Sequence, residues 1–196
     1  MTRPQCVVIA GPNGAGKTSA APELLKDTVG VAAFVNADVI AEGLAGFRPE
    51  GVSVEAGRIM LRRLRFLVDS GENFAFETTF SGQSVRRLMD RAAARGYDVH
   101  VFYLWLPSPD LAIARVKRRV KLGGHDVAGD VVRRRFWRSL RNAKRLWTGG
   151  VTTWRLYDAT EADTPRLIAS GTEGGAPTVA DEQLWRTVAD LGGGTE

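Results

Sequence analysis

The stretch that decides the fold is Gly11-Pro12-Asn13-Gly14-Ala15-Gly16-Lys17-Thr18, which follows the pattern G-x-x-x-x-G-K-[ST] of a phosphate-binding P-loop. Its glycines let the backbone wrap closely around an anion, and the helix that follows adds positive partial charge. In this pattern the lysine reaches the outer phosphates and the last hydroxyl holds Mg²⁺. We therefore predict that these eight residues and Ser19 bind nucleotide phosphates, with Thr18 as the metal ligand.

Both flanks of this loop agree with that prediction. An apolar run of strand length, residues 6–10, precedes the loop, and residues 19–26 suit a helix in which Pro22 either limits the start to the first turn or causes a kink. A strand, a loop and a helix in this order separate a P-loop from a glycine-rich turn that matches by chance.

Composition bounds the class of protein. A chain of 196 residues with 44% hydrophobic residues predicts one globular domain over residues 1–196. The one cysteine, Cys6, supports no disulfide framework, and neither a targeting segment nor an apolar stretch of membrane-span length is visible. We therefore predict a cytoplasmic protein with no membrane partner.

Strand-like and helix-like segments alternate along the chain. The predicted strands are residues 6–10, 33–36, 73–77, 99–106 and 152–157, and residues 166–169 are compatible with a short extra strand. The predicted helices are residues 53–70, 83–95, 108–120, a helix capped by Asp130, and residues 179–190. Repeated β-α units predict an α/β fold with a mostly parallel, five-stranded sheet. Because ligands bind at the carboxyl ends of such strands, Asp38 and Glu77 are expected beside the P-loop.

Four further segments carry a recognisable combination of residues. They are Phe34-Val35-Asn36-Ala37-Asp38-Val39-Ile40-Ala41; Phe74-Ala75-Phe76-Glu77-Thr78-Thr79-Phe80-Ser81-Gly82; Arg119-Val120 with Gly123-Gly124-His125; and Arg134-Arg135-Phe136 with Ser139-Leu140-Arg141-Asn142. Together with the P-loop, this combination resembles the zeta-toxin-like P-loop kinases in their small, standalone bacterial form. The resemblance extends over residues 5–160.

The resemblance implies a three-layer P-loop kinase fold, ATP and Mg²⁺ as cofactors, and a small hydroxylated acceptor. Zeta toxins phosphorylate UDP-N-acetylglucosamine on a sugar hydroxyl and use an aspartate after the second strand as general base, a position that Asp38 matches. An antitoxin protein is the implied macromolecular partner. One position departs from the family, because the toxins have an arginine two places after the threonine of Glu-x-Thr and this chain has Ser81.

The candidate acceptor-side residues each have a second interpretation. Asp38 is predicted to take the acceptor's proton, but it could instead cap a helix or bind a magnesium-bound water. Glu77 could orient acceptor hydroxyls or a metal-bound water, or form an ion pair with an arginine. Thr79 could bind substrate or only stabilise a turn, and Arg58 could bind the acceptor or form a salt bridge at the sheet rim. Residues 44–51 could line the acceptor pocket or form an ordinary loop.

Arginines are concentrated in residues 115–136, which read as two helices joined by a glycine-containing loop. This arrangement resembles an arginine-rich helical lid of a kinase. Arg119 and Arg135 match family positions and are predicted to be catalytic, together with Lys17, by neutralising charge on the transferring phosphoryl group. His125 could contact nucleotide or serve only as a loop residue. Residues 191–196 are expected to be frayed.

The net charge of +5 leaves a rival interpretation, a nucleotide-dependent protein that binds nucleic acid through its basic helices. The chain has no recognised nucleic-acid motif and no set of stacking aromatic residues, so nucleic acid is not an expected partner. A simple NTPase switch without any acceptor is the other alternative.

Overall fold

The computed structural model describes residues 2–26, 30–31, 33–45, 52–124, 126–161 and 164–191. Its strands are β1 (Gln5–Ala10), β2 (Ala33–Val35), β3 (Phe74–Thr78), β4 (Asp98–Trp105), β5 (Thr153–Asp158), β6 (Arg166–Thr172) and β7 (Thr178–Val179). Its helices are α1 (Lys17–Leu25), α2 (Ala37–Ala45), α3 (Val52–Ser70), α4 (Gln83–Ala94), α5 (Pro109–Lys121), α6 (Gly129–Lys144), a 3-10 turn (Arg145–Thr148) and α7 (Glu182–Asp190). The predictions for His125, residues 46–51 and the tail 192–196 fall outside the described residues.

The strands of the described residues form one sheet, in the order β2-β3-β1-β4-β5-β6-β7. The first five strands in this order are parallel and confirm the predicted β-α units, whereas β6 and β7 are antiparallel. The prediction of a five-stranded sheet was therefore wrong, because the described residues form a sheet of seven strands, in which β6 corresponds to the short extra strand considered at residues 166–169. β7 has only two residues, which is too short to show a period-2 pattern in the sequence.

The sheet is covered on both faces, as the predicted three-layer sandwich requires. Alternate residues of β1 divide between two cores, with Cys6 and Val8 on one side and Val7 and Ile9 on the other. The first core includes side chains of α3, α4 and α7, and the second includes side chains of α1 and α5. Cys6 is fully buried, and burial raises the pKa of its thiol.

The helix caps agree with the sequence in one place and correct it in another. Ser108 caps α5 as predicted, because its hydroxyl accepts a hydrogen bond from the Leu111 N–H at 3.2 Å. The prediction that Asp130 caps the next helix was wrong. α6 begins at Gly129 after the cap residue Ala128. Asp130 lies in the first turn of this helix, where its negative charge interacts favourably with the helix dipole.

The P-loop is pressed against the end of β4. Gly11 has φ +145°, and a Cβ atom there would lie 2.4 Å from the Leu104 carbonyl oxygen. Gly14 has φ +78°, and its Cβ would lie 2.7 Å from the Ala112 carbonyl oxygen of α5. Only glycine fits such backbone conformations and approaches without strain.

We expect Gly11→Ala to destabilise the fold by about 1–3 kcal/mol, because the new methyl group meets backbone that cannot move aside. The control is Gly43→Ala in α2, where a Cβ meets nothing within 4 Å and helix propensity favours alanine by up to about 1 kcal/mol. Urea denaturation of both variants measures the difference. Equal stability of the two variants would contradict the packing described here.

Candidate active site

A cleft of about 690 Å³ lies at the carboxyl ends of β1 and β3. Its walls come from the P-loop, the helices α2 and α3, the loop after β3, and the arginine-rich helices α5 and α6. The predicted site residues that line it are Asn13, Gly14, Gly16, Lys17, Thr18, Ser19, Asp38, Glu77, Thr79, Arg119 and Arg135. Gly11, Pro12 and Ala15 are buried behind the loop surface, and Arg58 is exposed on α3 outside the cleft lining.

Lys17 lines the end of the cleft that the P-loop forms. Its Nζ donates hydrogen bonds of 3.0 Å to the carbonyl oxygens of both Gly11 and Pro12. Burial lowers the pKa of the lysine, while the nearby carboxylates of Glu77 and Asp38 act in the opposite direction. The ammonium group therefore lies over the P-loop. A bound anion there would accept a stronger, charge-assisted hydrogen bond from it than the two carbonyl groups do.

Thr18 and Glu77 are directly hydrogen-bonded. The threonine hydroxyl donates to Oε2 of Glu77 at 3.0 Å, and Oε1 of the same carboxylate is buried without a hydrogen-bond partner. Within the described part of the chain no arginine lies at ion-pair distance from Glu77, so the ion-pair interpretation of this residue is not realised. Burial raises the pKa of Glu77, and this effect outweighs the opposing effects of Lys17 and Thr18.

These two side chains fit a magnesium ion. A threonine hydroxyl and a carboxylate are hard oxygen donors, and the orphaned Oε1 has unused capacity to accept hydrogen bonds from a metal-bound water. Among the residues that the structure describes, there is no cluster of three or more His, Cys, Asp or Glu side chains that could hold a metal ion. Such a sparse protein contribution is typical of Mg²⁺, which keeps several waters and takes substrate phosphate oxygens as ligands.

Glu77→Gln is expected to raise the melting temperature at pH 7 and to have little effect near pH 4. A carboxyl group whose pKa is raised in the folded state favours folding below its unfolded pKa and loses that advantage as pH rises through the folded pKa. Glutamine resembles the protonated form and does not pay this cost at neutral pH. Thermal unfolding across pH 4–8 measures the effect, and a wild-type protein that gains stability over glutamine as pH rises would contradict it.

Asp38 lies in the first turn of α2 and is exposed to the cleft. Its backbone N–H donates to Oδ1 of Asn36 at 2.8 Å, so Asn36 is the residue that caps this helix. The alternative in which Asp38 is itself the cap is therefore not realised, and its carboxylate is left for other contacts. Sequence reasoning missed the role of Asn36, although an asparagine just before an apolar helix is a recognisable capping signal.

Arg119 of α5 reaches across the cleft to Asp38. Its Nη1 lies 3.5 Å from Oδ2 of the aspartate, and both side chains remain partly exposed. The backbone at the end of α5 turns back towards Arg119. Gly123 has φ +87°, and the Gly124 N–H donates to the Arg119 carbonyl at 3.0 Å. A Cβ on Gly124 would lie 2.6 Å from Cγ of Arg119, so the double glycine gives this side chain its room.

The remaining arginines of residues 115–136 have different surroundings. Arg135 lines the cleft, and Arg133 pairs with Asp110 instead. The guanidinium of Arg115 donates to the carbonyl groups of Ala159 at 2.7 Å and Thr160 at 2.6 Å. Arg115 therefore ties α5 to the loop after β5. Arg118 and Arg134 are exposed and do not line the cleft.

The loop after β3 is held in an uncommon conformation. Phe80 has φ 56°, its N–H donates to the Thr78 hydroxyl at 3.0 Å, and its carbonyl accepts from Nδ2 of Asn142 at 2.8 Å. The Thr79 and Ser81 hydroxyls lie 2.9 Å apart in the cleft wall. Thr78 thus stabilises the turn, whereas Thr79 and Ser81 form a hydroxyl pair that faces the cleft.

Among the described residues, no helix is both long enough and apolar enough to cross a membrane.

Comparison with known proteins gives the fold a family. The model of the family described as Zeta toxin matches residues 1–148. A Haemophilus influenzae protein described as "Uncharacterized protein" is 31% identical over 132 residues, which are 67% of this chain and 92% of that protein.

Two solved structures share the architecture. AvrRxo1-ORF1:-ORF2 with ATP superposes with a TM-score of 0.73 at 21% identity, over 99% of this chain and 66% of that chain. The PezAT chromosomal toxin-antitoxin system of Streptococcus pneumoniae gives a TM-score of 0.58 at 15% identity, over 98% of this chain and 85% of that chain. This chain spans less than two thirds of the length of the AvrRxo1-ORF1 structure, and at these identities the superpositions support the fold alone. The match of the family model over most of the chain shows that this protein belongs to the zeta toxin family.

Proposed function

We propose that this protein is an ATP-dependent kinase that transfers the γ-phosphate of ATP to a hydroxyl group of a small acceptor. The observation that carries the proposal is the placement of the P-loop lysine, Lys17, and a carboxylate, Asp38, in one cleft. Membership of the zeta toxin family and a similar fold in a structure with bound ATP support it.

The phosphate end of the cleft would hold ATP. The backbone N–H groups of the P-loop and Lys17 would bind the β- and γ-phosphates, in exchange for the two carbonyl contacts that the lysine makes now. Thr18 and Glu77 would hold Mg²⁺, which when bound neutralises negative charge on the phosphates. Thr18 and Glu77 would give up their present mutual hydrogen bond in order to hold the ion.

Asp38 would act as the general base. The acceptor oxygen forms a bond to the γ-phosphorus while the bond to the β,γ-bridging oxygen breaks, so that ADP leaves with that electron pair. The acceptor proton passes to a carboxylate oxygen of Asp38. Arg119, which contacts Asp38 in this structure, would turn to the transferring phosphoryl group, and Arg135 would assist from α6. Residues 115–136 would then act as a lid within a single domain.

Arg119→Ala is expected to lower kcat about 10²-fold while changing the affinity for ATP little, because its charge is needed only as the phosphoryl group moves. The effect is smaller than for an isolated arginine finger because Arg135 lies in the same cleft. Arg118→Ala is the matched control, since Arg118 is exposed on the same helix. Steady-state rates with saturating ATP compare the two, and equal rates would remove Arg119 from the mechanism.

Acceptor and partner are the finer parts of the proposal. The family resemblance brings a nucleotide sugar, UDP-N-acetylglucosamine, as a candidate acceptor, and PezAT is a toxin-antitoxin system, so an antitoxin is a candidate protein partner. Arg58 lies outside the cleft lining. It would therefore contribute to acceptor binding only if α3 moved towards the cleft or if the acceptor extended as far as Arg58.

The experiment that tests the function is calorimetry with ATP and Mg²⁺, followed by a screen of hydroxylated metabolites for stimulated ADP formation. We expect ATP to bind and at least one acceptor to increase ADP formation in a concentration-dependent way. ATP hydrolysis that no acceptor stimulates would favour the NTPase switch. Tight, strongly salt-dependent binding to RNA or DNA would favour the nucleic-acid-binding alternative.

A further inference from the structure

The loop after β3, residues 79–82, separates two cavities. On one side, Thr79 and Ser81 line the active-site cleft. On the other side, Phe80 and Asn142 of α6 line a small cavity of about 40 Å³. Neither Phe80 nor Asn142 lines the cleft itself. Asn142 therefore lies behind the cleft wall, where it can act on a ligand only through the loop.

Phe80 is the residue at which this loop turns. Its φ of 56° lies in the left-handed region, which a residue with a bulky side chain rarely adopts. Such a conformation costs free energy and persists only where the surroundings fix it, and conformations of this kind are concentrated at functional sites. The contacts of Phe80 therefore show what holds the loop in place.

Three contacts fix Phe80. Its ring is buried in the first core, with 4% of the residue exposed, and its N–H donates to the Thr78 hydroxyl at 3.0 Å. Its carbonyl oxygen accepts from Nδ2 of Asn142 at 2.8 Å. The first two contacts belong to the sheet and its core, whereas the third comes from a helix 62 residues further along the chain. The Asn142 bond thus ties the turn to α6.

The same helix also carries Arg135, which lines the cleft. Arg135 and Asn142 are seven residues apart, so they lie on the same side of α6 and about 10.5 Å apart along its axis. Phe136 and Leu140 between them are buried and pack α6 against the sheet. One packed helix therefore presents an arginine to the cleft and holds the loop that forms part of the cleft wall.

We infer that Asn142 is a positioning residue for phosphoryl transfer, which it serves by holding the Thr79–Ser81 hydroxyl pair in the wall against which the acceptor binds. This inference rests on the proposed kinase function. The two hydroxyl oxygens lie 2.9 Å apart, so one hydroxyl donates to the other and the second retains its proton for a ligand. Such a pair both donates and accepts hydrogen bonds, as an acceptor hydroxyl requires.

Loss of the Asn142 bond would release the turn. Without a donor at its carbonyl, Phe80 can leave the left-handed region for an ordinary backbone conformation and relieve the strain. Thr79 and Ser81 flank Phe80, so both hydroxyls would move when its backbone rotates. The P-loop makes no contact with this loop through Asn142, and nucleotide binding should therefore be preserved.

Asn142→Asp is the variant that tests this chain of contacts. It keeps the size of the side chain, but its ionised carboxylate cannot donate to a carbonyl group. We expect the KM for the acceptor to rise on the order of 10-fold, which is the upper range for one lost hydrogen bond, with the Kd for ATP unchanged. The matched control is Arg138→Gln, which changes the net charge equally at an exposed position of α6 outside the cleft lining.

The position of the loop can be measured without any acceptor. Hydrogen exchange of the segment 78–84 in the full chain should be on the order of 10-fold faster in Asn142→Asp, while exchange of the P-loop segment 11–18 stays as in the wild type. Arg138→Gln should exchange like the wild type in both segments. Circular dichroism establishes that both variants fold. Unchanged exchange of the segment 78–84 in Asn142→Asp overturns the inference.

A double-mutant cycle separates positioning from a general effect on stability. Thr79→Val removes one hydroxyl of the pair and is expected to raise the acceptor KM on the order of 10-fold in the wild type. It should have much less effect in the Asn142→Asp background, where the hydroxyl is already displaced. Additive effects of the two changes, or a Thr79→Val variant with a normal KM, contradict the inference.

The kinetic probe is UDP-N-acetylglucosamine or, if it is not turned over, the metabolite that gives the largest stimulation in the screen described above. If that probe stimulates ADP formation, Lys17→Ala abolishes the stimulation, and Asn142→Asp has a normal KM, the kinase function stands and this inference alone fails. If ATP with Mg²⁺ gives no heat of binding, or no metabolite stimulates ADP formation, the kinase function fails and the inference fails with it.

Discussion

Lys17→Ala is expected to lower phosphoryl transfer by roughly 10³-fold or more and to weaken ATP binding as well. Lys17 is the only lysine that lines the cleft within the described residues, and its ammonium group lies across the P-loop carbonyl groups of Gly11 and Pro12. Its removal leaves the phosphates without their nearest positive charge in the ground state and in the transition state. Both kcat/KM and the Kd for ATP should therefore change.

The matched control is Lys117→Ala, because Lys117 is an exposed lysine on α5. It removes the same charge from the protein while leaving the cleft unchanged. ATP-dependent thermal stabilisation and initial rates of ADP formation distinguish the two variants. A Lys17→Ala protein that binds and turns over ATP like the control would show that the P-loop does not hold nucleotide.

Asp38→Ala is expected to lower kcat by about 10²–10⁴-fold, the usual contribution of a positioned base. ATP binding should change little, since Asp38 lies on α2 and not in the P-loop. Asp38→Asn should be similarly slow, because an amide keeps the size of the side chain but cannot accept the proton. This combination, lost turnover with retained nucleotide, separates the role of Asp38 from that of Lys17.

The control for this prediction is Glu42→Ala, which removes an exposed carboxylate one helical turn further along α2. Rates at saturating ATP and acceptor should be unaffected by that change. Near-normal turnover of Asp38→Ala would exclude this residue as the base. The role left for its carboxylate would then be the ion pair with Arg119.

The sequence was most informative where local pattern and chemistry coincide. The apolar run before the P-loop, the near-continuous apolar β4 and the Ser108 cap are local signals, and the structure has each of them. The parallel order of the first five strands also follows from the alternation of strands and helices. In the antiparallel edge, β6 overlaps the short extra strand considered at residues 166–169, whereas β7 was missed because a two-residue strand leaves no periodic trace.

The site was less predictable because its contacts join distant parts of the chain. Thr18 and Glu77 are 59 residues apart, and Arg119 and Asp38 are 81 residues apart. Neither spacing follows from helix or strand periodicity, so only the folded chain shows that the candidate metal ligand bonds to one acid and the lid arginine to the other.

Because Cys6 is buried, the rate at which its thiol reacts can be used to measure how often the folded protein opens. The single thiol is buried near the start of β1 and its pKa is raised, so we expect a thiol-specific reagent to modify the protein only after the sheet opens. The labelling rate is therefore a measure of global opening, and any nucleotide that binds the native state must slow it in proportion to occupancy. Ligand affinity can be read in this way for variants that have lost all turnover.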